Sequence, residues 1–142
     1  MINISISEEL LQDIINLETG LLYPLTGFMG EKDFRSVVDH CKLADGQVFT
    51  IPITLDVPPE QYETIRIGET LALLFHGEKT AEIRVESKFI MNDGDIQKVF
   101  STLDDAHPGV NKEHGRFACR VGGPTRLTDR RFLTGALKPE ET

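Results

Sequence analysis

Four histidines, His40, His76, His107 and His114, raise the first chemical question. No two of them lie three or four residues apart. A helix needs that spacing to turn two imidazoles toward one metal, so a zincin-type pair is excluded. The close His pair that nucleotidyl transferases set against a triphosphate is excluded for the same reason. No Gly-rich loop of the Walker type precedes a Lys-Ser or Lys-Thr pair. "NDGD" at 92–95 has part of a calcium-loop pattern. It lacks the Asp-x-Asp-x-Asp-Gly order and the closing Glu, so it reads as a turn with Asp95 capping a short helix over 95–101. "HPGV" at 107–110 sets the imidazole of His107 beside a rigid bend. It can present that ring to a partner. The preferred reading is a bent structural loop whose His bonds backbone. No metal and no cofactor is expected from these patterns.

The charges suggest binding rather than catalysis. Lys112, Arg116, Arg120, Arg126, Arg130, Arg131 and Lys138 face only Glu113 and Asp129 in their stretch, +5 in a chain of net charge −8. Arg116 and Arg120, four apart on a predicted strand, leave one face together. Two readings stand for the five arginines. One is a docking surface for an acidic partner, with Arg126, Arg130 and Arg131 exposed and unpaired. The other is a solvated face whose charges are met by the chain's acidic majority. The acidic total weighs against a nucleic-acid surface.

The elements that must hold these residues are short. Ser7 is a fitting N-cap for a helix over 7–18, with Glu8 and Glu9 in its first turn and Gly20 beyond its end. A second helix over 31–41 has Phe34, Val37, Val38 and Cys41 at one face. The period then changes. "QVFTIPITLDV" at 47–57 alternates, with Phe49, Ile51, Ile53, Leu55 and Val57 on one face and Pro52 marking an edge or bulge. Pro58 and Pro59 open a short helical turn. "ETLALLF" and "TAEIRVESKFI" read as a hairpin about "HGEK". "GRFACRVGG" is a last strand with a Gly-Gly-Pro stop, and 125–142 reads as a tail.

The pattern predicts an α+β fold, two N-terminal helices followed by a small, mostly antiparallel, partly closed β-barrel. One core and one domain fit 142 residues. Apolar runs such as "LALLF" are far too short to span a bilayer, and "MINISISEELL" has no signal-peptide pattern, so a cytoplasmic protein is expected. Cys41 and Cys119 read as buried small hydrophobes rather than a disulfide.

"GLLYPLTGFM" (20–29) fits neither period. Pro24 fixes φ and Gly27 frees it, so the loop bends sharply. Phe28 and Met29 then close one end of the core. The alternative is a contact patch of Tyr23, Phe28 and Met29 for a partner domain. With "LADGQVFTIPITLDV" (43–57), "HPGV" (107–110) and "RVGGP" (120–124), this stretch resembles the N-terminal domain of ATP sulfurylase (sulfate adenylyltransferase).

The resemblance covers about residues 7–125 and implies a PUA-like domain over 1–125 with a C-terminal extension over 126–142. Sulfurylases join ATP and sulfate into adenosine phosphosulfate and pyrophosphate. The resemblance places that chemistry in a following domain, on a Gln-x-Arg-Asn-Pro stretch and a His-x-x-His stretch. Neither is in this sequence. No catalytic residue carries over, and the expectation is a non-catalytic module that docks on a separate catalytic domain or on a second copy of itself. The alternative is a stand-alone PUA-like domain that binds RNA or another acidic partner.

Overall fold

The structure is a computed structural model that describes residues 1–49 and 51–129. A short strand, β1 (Asn3–Ser5), comes first; nothing in its three residues announces it. Ser7 then opens α1 (Glu8–Glu18), its Oγ accepting the Leu10 N–H at 3.2 Å. Leu10, Leu11, Ile14, Ile15 and Leu17 are buried, the face that the i, i+3, i+4 spacing predicts. β2 (Gly27–Phe28) leads to α2 (Glu31–His40), which buries Phe34, Val37 and Val38. Cys41 departs from expectation. It caps α2 in the left-handed conformation (φ 57°) and is exposed, while Cys119 is half-buried; both are free thiols.

The alternating run over 47–57 is corrected by the structure. Only β3 (Leu55–Asp56) pairs as a strand. Pro52 has no N–H to give a ladder, and the apolar set does not share one face: Leu55 and Val57 are buried while Ile51 is exposed. A short helix, α3 (Pro59–Tyr62), follows Pro58. β4 (Thr70–Phe75) and β5 (Glu78–Arg84) form the predicted hairpin. Its turn is the pair His76-Gly77, both at positive φ, which suits the right-handed twist of the strands. The strand predicted to run on to Ile90 breaks at Val85-Glu86 and resumes as β6 (Ser87–Ile90).

Asn92, not Asp95, caps α4 (Asp93–Phe100). Asp95 sits one turn in and completes a capping box, its Oδ2 accepting the Asn92 N–H at 3.0 Å. "HPGV" is not a bent loop but the start of α5 (Pro108–His114), with proline in the first turn where its missing N–H costs nothing. The last described strand, β7 (Cys119–Leu127), does not stop at Gly-Gly-Pro; it runs through it.

That strand is the hub. On one edge it pairs antiparallel with β6 and then β5; on the other, with β3 and then β2. β1 adds to β4 in parallel, so the sheet is mixed and its path runs β1-β4-β5-β7-β2. The described strands make a curled half-barrel, and of the five helices among the described residues α1 and α2 are the N-terminal pair, α3 and α4 the short ones expected after Pro58 and near Asp95, and α5 was not expected. The main core lies between α1 and the sheet, around Leu11, Ile14, Leu71, Leu73, Ile83 and Val121. A second cluster, Phe34, Val38, Phe89, Met91, Ile96 and Val110, joins α2, α4 and α5 to β6. Among the described residues no helix is long and apolar enough to cross a membrane.

Candidate functional site

Arg116 and Arg120 come together, but inside the molecule. Arg116 lies just before β7 rather than on it, so the two do not share a strand face. Arg120 is 1% exposed. Its Nε donates to the Phe117 carbonyl (2.8 Å), Nη1 to Thr54 Oγ1 (2.8 Å) and Nη2 to Glu113 Oε1 (2.9 Å). Arg116 donates from Nε to Asp56 Oδ1 (3.1 Å), from Nη1 to Glu113 Oε2 (3.2 Å) and from Nη2 to the Thr54 carbonyl (2.6 Å). Asp56 also accepts the Phe117 N–H at 3.1 Å.

Each element has its part. α5 presents Glu113 one turn before Arg116; β3 brings Asp56 and the preceding Thr54; β7 brings Arg120. Two guanidiniums meet two carboxylates, so the network is neutral and every guanidinium nitrogen has an acceptor. Burial pulls the Arg120 pKa below its usual value, helped by the Arg116 charge and opposed by Glu113. Against the expectation that Arg116 and Arg120 offer a surface to an acidic partner, Arg120 is buried, Arg116 is 16% exposed, and every nitrogen of both already faces an acceptor within the domain, so the pair joins three elements. Thr54, Asp56 and Glu113 were missed by the sequence reading. The i, i+3 spacing of Glu113 and Arg116 was the local signal for one of these pairs.

Arg126 is at the surface, 72% exposed, but it is not unpaired: Nη2 donates to Glu82 Oε1 at 2.8 Å. Lys79 binds the same carboxylate, and the hydrogen bonds from Lys79 and Arg126 lower its pKa. Arg130 and Arg131 lie outside the described residues. His107 caps α5, its Nδ1 accepting the Gly109 N–H at 3.0 Å, and its ring tilts on Phe100 with centroids 5.1 Å apart. Both contacts are internal. The 92–95 turn is a helix start, and no group of three or more His, Cys, Asp or Glu suited to a metal occurs among the described residues.

The "PLTGFM" loop divides. Phe28 is 3% exposed and Met29 is buried, whereas Tyr23 is 80% exposed. The Tyr23–Pro24 peptide is cis. Gly27 pairs with Pro124 and Phe28 with Gly123, so this loop is where β2 meets the Gly-Gly-Pro stretch of β7. The backbones touch there. A Cβ on Gly27 would lie 2.0 Å from the Gly123 carbonyl oxygen, and one on Gly122 2.1 Å from that of Met29. Thus Gly27 and Gly122 let two strands cross at contact distance. Beside the crossing is a cleft of 370 Å³, walled by Pro24–Gly30 and by Gly122–Pro124 with Asp33 and Glu86 at its edge. It holds two carboxylates and no cation.

Residues 1–130 match a known family, that of the PUA-like domain. The chain belongs to the PUA-like domain family. Among related proteins, this PUA-like domain is 37% identical to the sulfate adenylyltransferase of Hyperthermus butylicus over 143 residues, 98% of this chain and 37% of that protein. It is 40% identical to the sulfate adenylyltransferase of Chlorobaculum tepidum over 118 residues, 81% of this chain and 29% of that one. A third, from Symbiobacterium thermophilum, is 38% identical over 92% of this chain and 34% of its own. The domain therefore spans about a third of the length of these relatives. Among solved structures, the hexameric APS kinase from Thiobacillus denitrificans superposes with a TM-score of 0.64, over 91% of this chain and 22% of that one, at 22% identity. That likeness is one of fold.

Proposed function

We propose that this PUA-like domain is a non-catalytic module of sulfate activation that docks on a separate catalytic domain or partner in the cytoplasm. One observation carries the reading: sulfate adenylyltransferases match almost all of this chain while the match covers only about a third of them. The chemistry agrees. Moving an adenylyl group from a triphosphate needs preorganised donors aimed at phosphate oxygens. The sequence holds neither the Gln-x-Arg-Asn-Pro nor the His-x-x-His stretch that resemblance assigns to this task. The arginines at the centre of the domain turn each of their nitrogens to a carboxylate, carbonyl or hydroxyl of the domain itself.

The purified chain, given ATP and sulfate, is expected to release no pyrophosphate above a buffer control. Sulfate-dependent release refutes the non-catalytic reading. A tagged copy expressed in its own host is expected to recover a protein that carries both missing stretches, identified by mass spectrometry. Recovery of RNA in its place, with a steep loss of binding as salt rises, refutes the docking reading.

A further inference from the structure

We propose that the face between α1, α5 and the Ile51–Thr54 segment is the docking face of the domain, and that it takes one basic side chain of a protein partner beside an apolar one. The inference rests on the docking reading and gives it a surface. A cavity of 160 Å³ opens there, lined by Asp13, Ile53, Phe100, Lys112, Glu113 and Arg116 among others. It is well below the ~300 Å³ from which small-molecule pockets begin, and suits a single long side chain.

Charge decides which side chain. Lys112 Nζ is 2.8 Å from Glu9 Oε2. Both oxygens of Glu113 are taken by Arg116 and Arg120, and Asp56 is taken by Arg116. Three cations, Lys112, Arg116 and Arg120, thus face four carboxylates, Glu9, Asp13, Asp56 and Glu113. The surplus one is Asp13. Among the described residues no hydrogen bond or ion pair reaches its carboxylate. Burial raises its pKa, and the charges of Lys112 and Arg116 offset this only in part. A half-buried carboxylate with no donor from its own chain is left to water at the socket's mouth, and a guanidinium or ammonium can take that water's place.

The apolar half adjoins it. Leu22, Val48, Phe49, Ile51 and Ile53 line a second groove, and Ile51 and Ile53 line the socket as well, so the two are continuous. Val48 is 71% and Ile51 51% exposed. Single exposed apolar residues are ordinary, but a groove of them against a charged socket has the anatomy of an interface, an apolar contact beside a polar anchor. The net charge of −8 favours a basic partner over an acidic one. A segment that places a Leu, Ile or Phe next to an Arg or Lys meets both halves.

The test titrates the isotope-labelled full chain with acetyl-leucyl-arginine amide and follows its amide signals by NMR. Acetyl-leucyl-norleucine amide and acetyl-leucyl-glutamate amide serve as controls. The arginine peptide is expected to shift Asp13, Ile53 and Lys112 and to saturate in the millimolar range. Asp13→Asn keeps the shape and should weaken it about tenfold. Equal shifts with norleucine, or an unchanged affinity in Asp13→Asn at an unchanged melting temperature, overturn the socket. The host pull-down separates the two proposals. A partner held equally by wild type and Asp13→Asn sinks the socket and leaves the docking module standing. Shifts at Asp13 with no partner recovered support the socket and sink the module. Concentration-dependent self-association lost in Asp13→Asn would assign the face to a second copy and overturn the partner stated here.

Discussion

Arg120→Met tests whether the internal arginine network holds the fold. Methionine keeps the unbranched stem and much of its packing while removing the charge and three hydrogen bonds. Bonds to a charged group are worth roughly 1.5–3 kcal/mol each, but removing the guanidinium also removes its own desolvation cost. Glu113 keeps Arg116 as a partner, so its charge is not stranded. The losses are the buried Thr54 hydroxyl, the Phe117 carbonyl and half of the Glu113 pairing. The net should be about 3 kcal/mol, the low end for breaking a buried pair. Urea unfolding followed by far-UV circular dichroism measures it, since the sequence has no Trp. The midpoint should fall at an unchanged slope. Arg126→Met is the control, because its pair with Glu82 is exposed and should be worth under about 1 kcal/mol. The double variant with Glu113→Gln should lose less than the sum of the single losses, by about 1 kcal/mol or more. If Arg120→Met costs no more than Arg126→Met, the network does not hold the fold and the reasoning fails.

Other outcomes follow from the same geometry. Phe28→Ala should destabilise by about 3–5 kcal/mol in the same urea assay, the usual cost of truncating a core Phe, and a loss under about 1 kcal/mol would remove Phe28 from the core. Gly27→Ala should lose at least as much as an ordinary core truncation, about 3 kcal/mol, because its new methyl meets backbone that cannot swing away; a melting curve like wild type would disprove the strand crossing. His114 lies between Asp105 and Asp93, and its pKa is raised chiefly by the bond to Asp105. Its stabilising effect is full below the unfolded value near 6.5 and is lost as pH rises through the folded value. The melting temperature should therefore fall across that window in wild type and less in His114→Gln; identical profiles would dismiss the clamp.

Local rules found local structure. α1 and α2 were legible because caps and apolar spacing act within one helix, and the β4–β5 turn because His76-Gly77 needs only its neighbours. What escaped depends on distant partners. β1 is a strand only because β4 lies beside it, and β3 is cut short because Pro52 cannot join a ladder that the alternating pattern suggested. Arg120 looked like surface because arginine usually is; Thr54, Asp56 and Glu113, which bury it, arrive from two other elements. Gly-Gly-Pro reads as a stop in isolation. It becomes a passage once Gly27 and Met29 are known to press against it. Asp13, one polar residue on an amphipathic helix, gave no sign that its surroundings would leave it without a donor.

The pairing of β7 on both edges has a consequence for how the protein is made. Among the described strands, β2, β3 and β6 each hydrogen-bond to β7 alone. A ribosome that has translated as far as residue 118 has produced six of the seven described strands. It has nonetheless produced only one assembly that can close by itself, β1 with the β4–β5 hairpin. The other three must wait with open edges for nine residues still to come, from Cys119 to Leu127. Such edges are where a nascent chain is exposed to mispairing, and contacts that span so much sequence form slowly. For the described strands, the period of greatest risk is therefore the interval just before β7 leaves the ribosome.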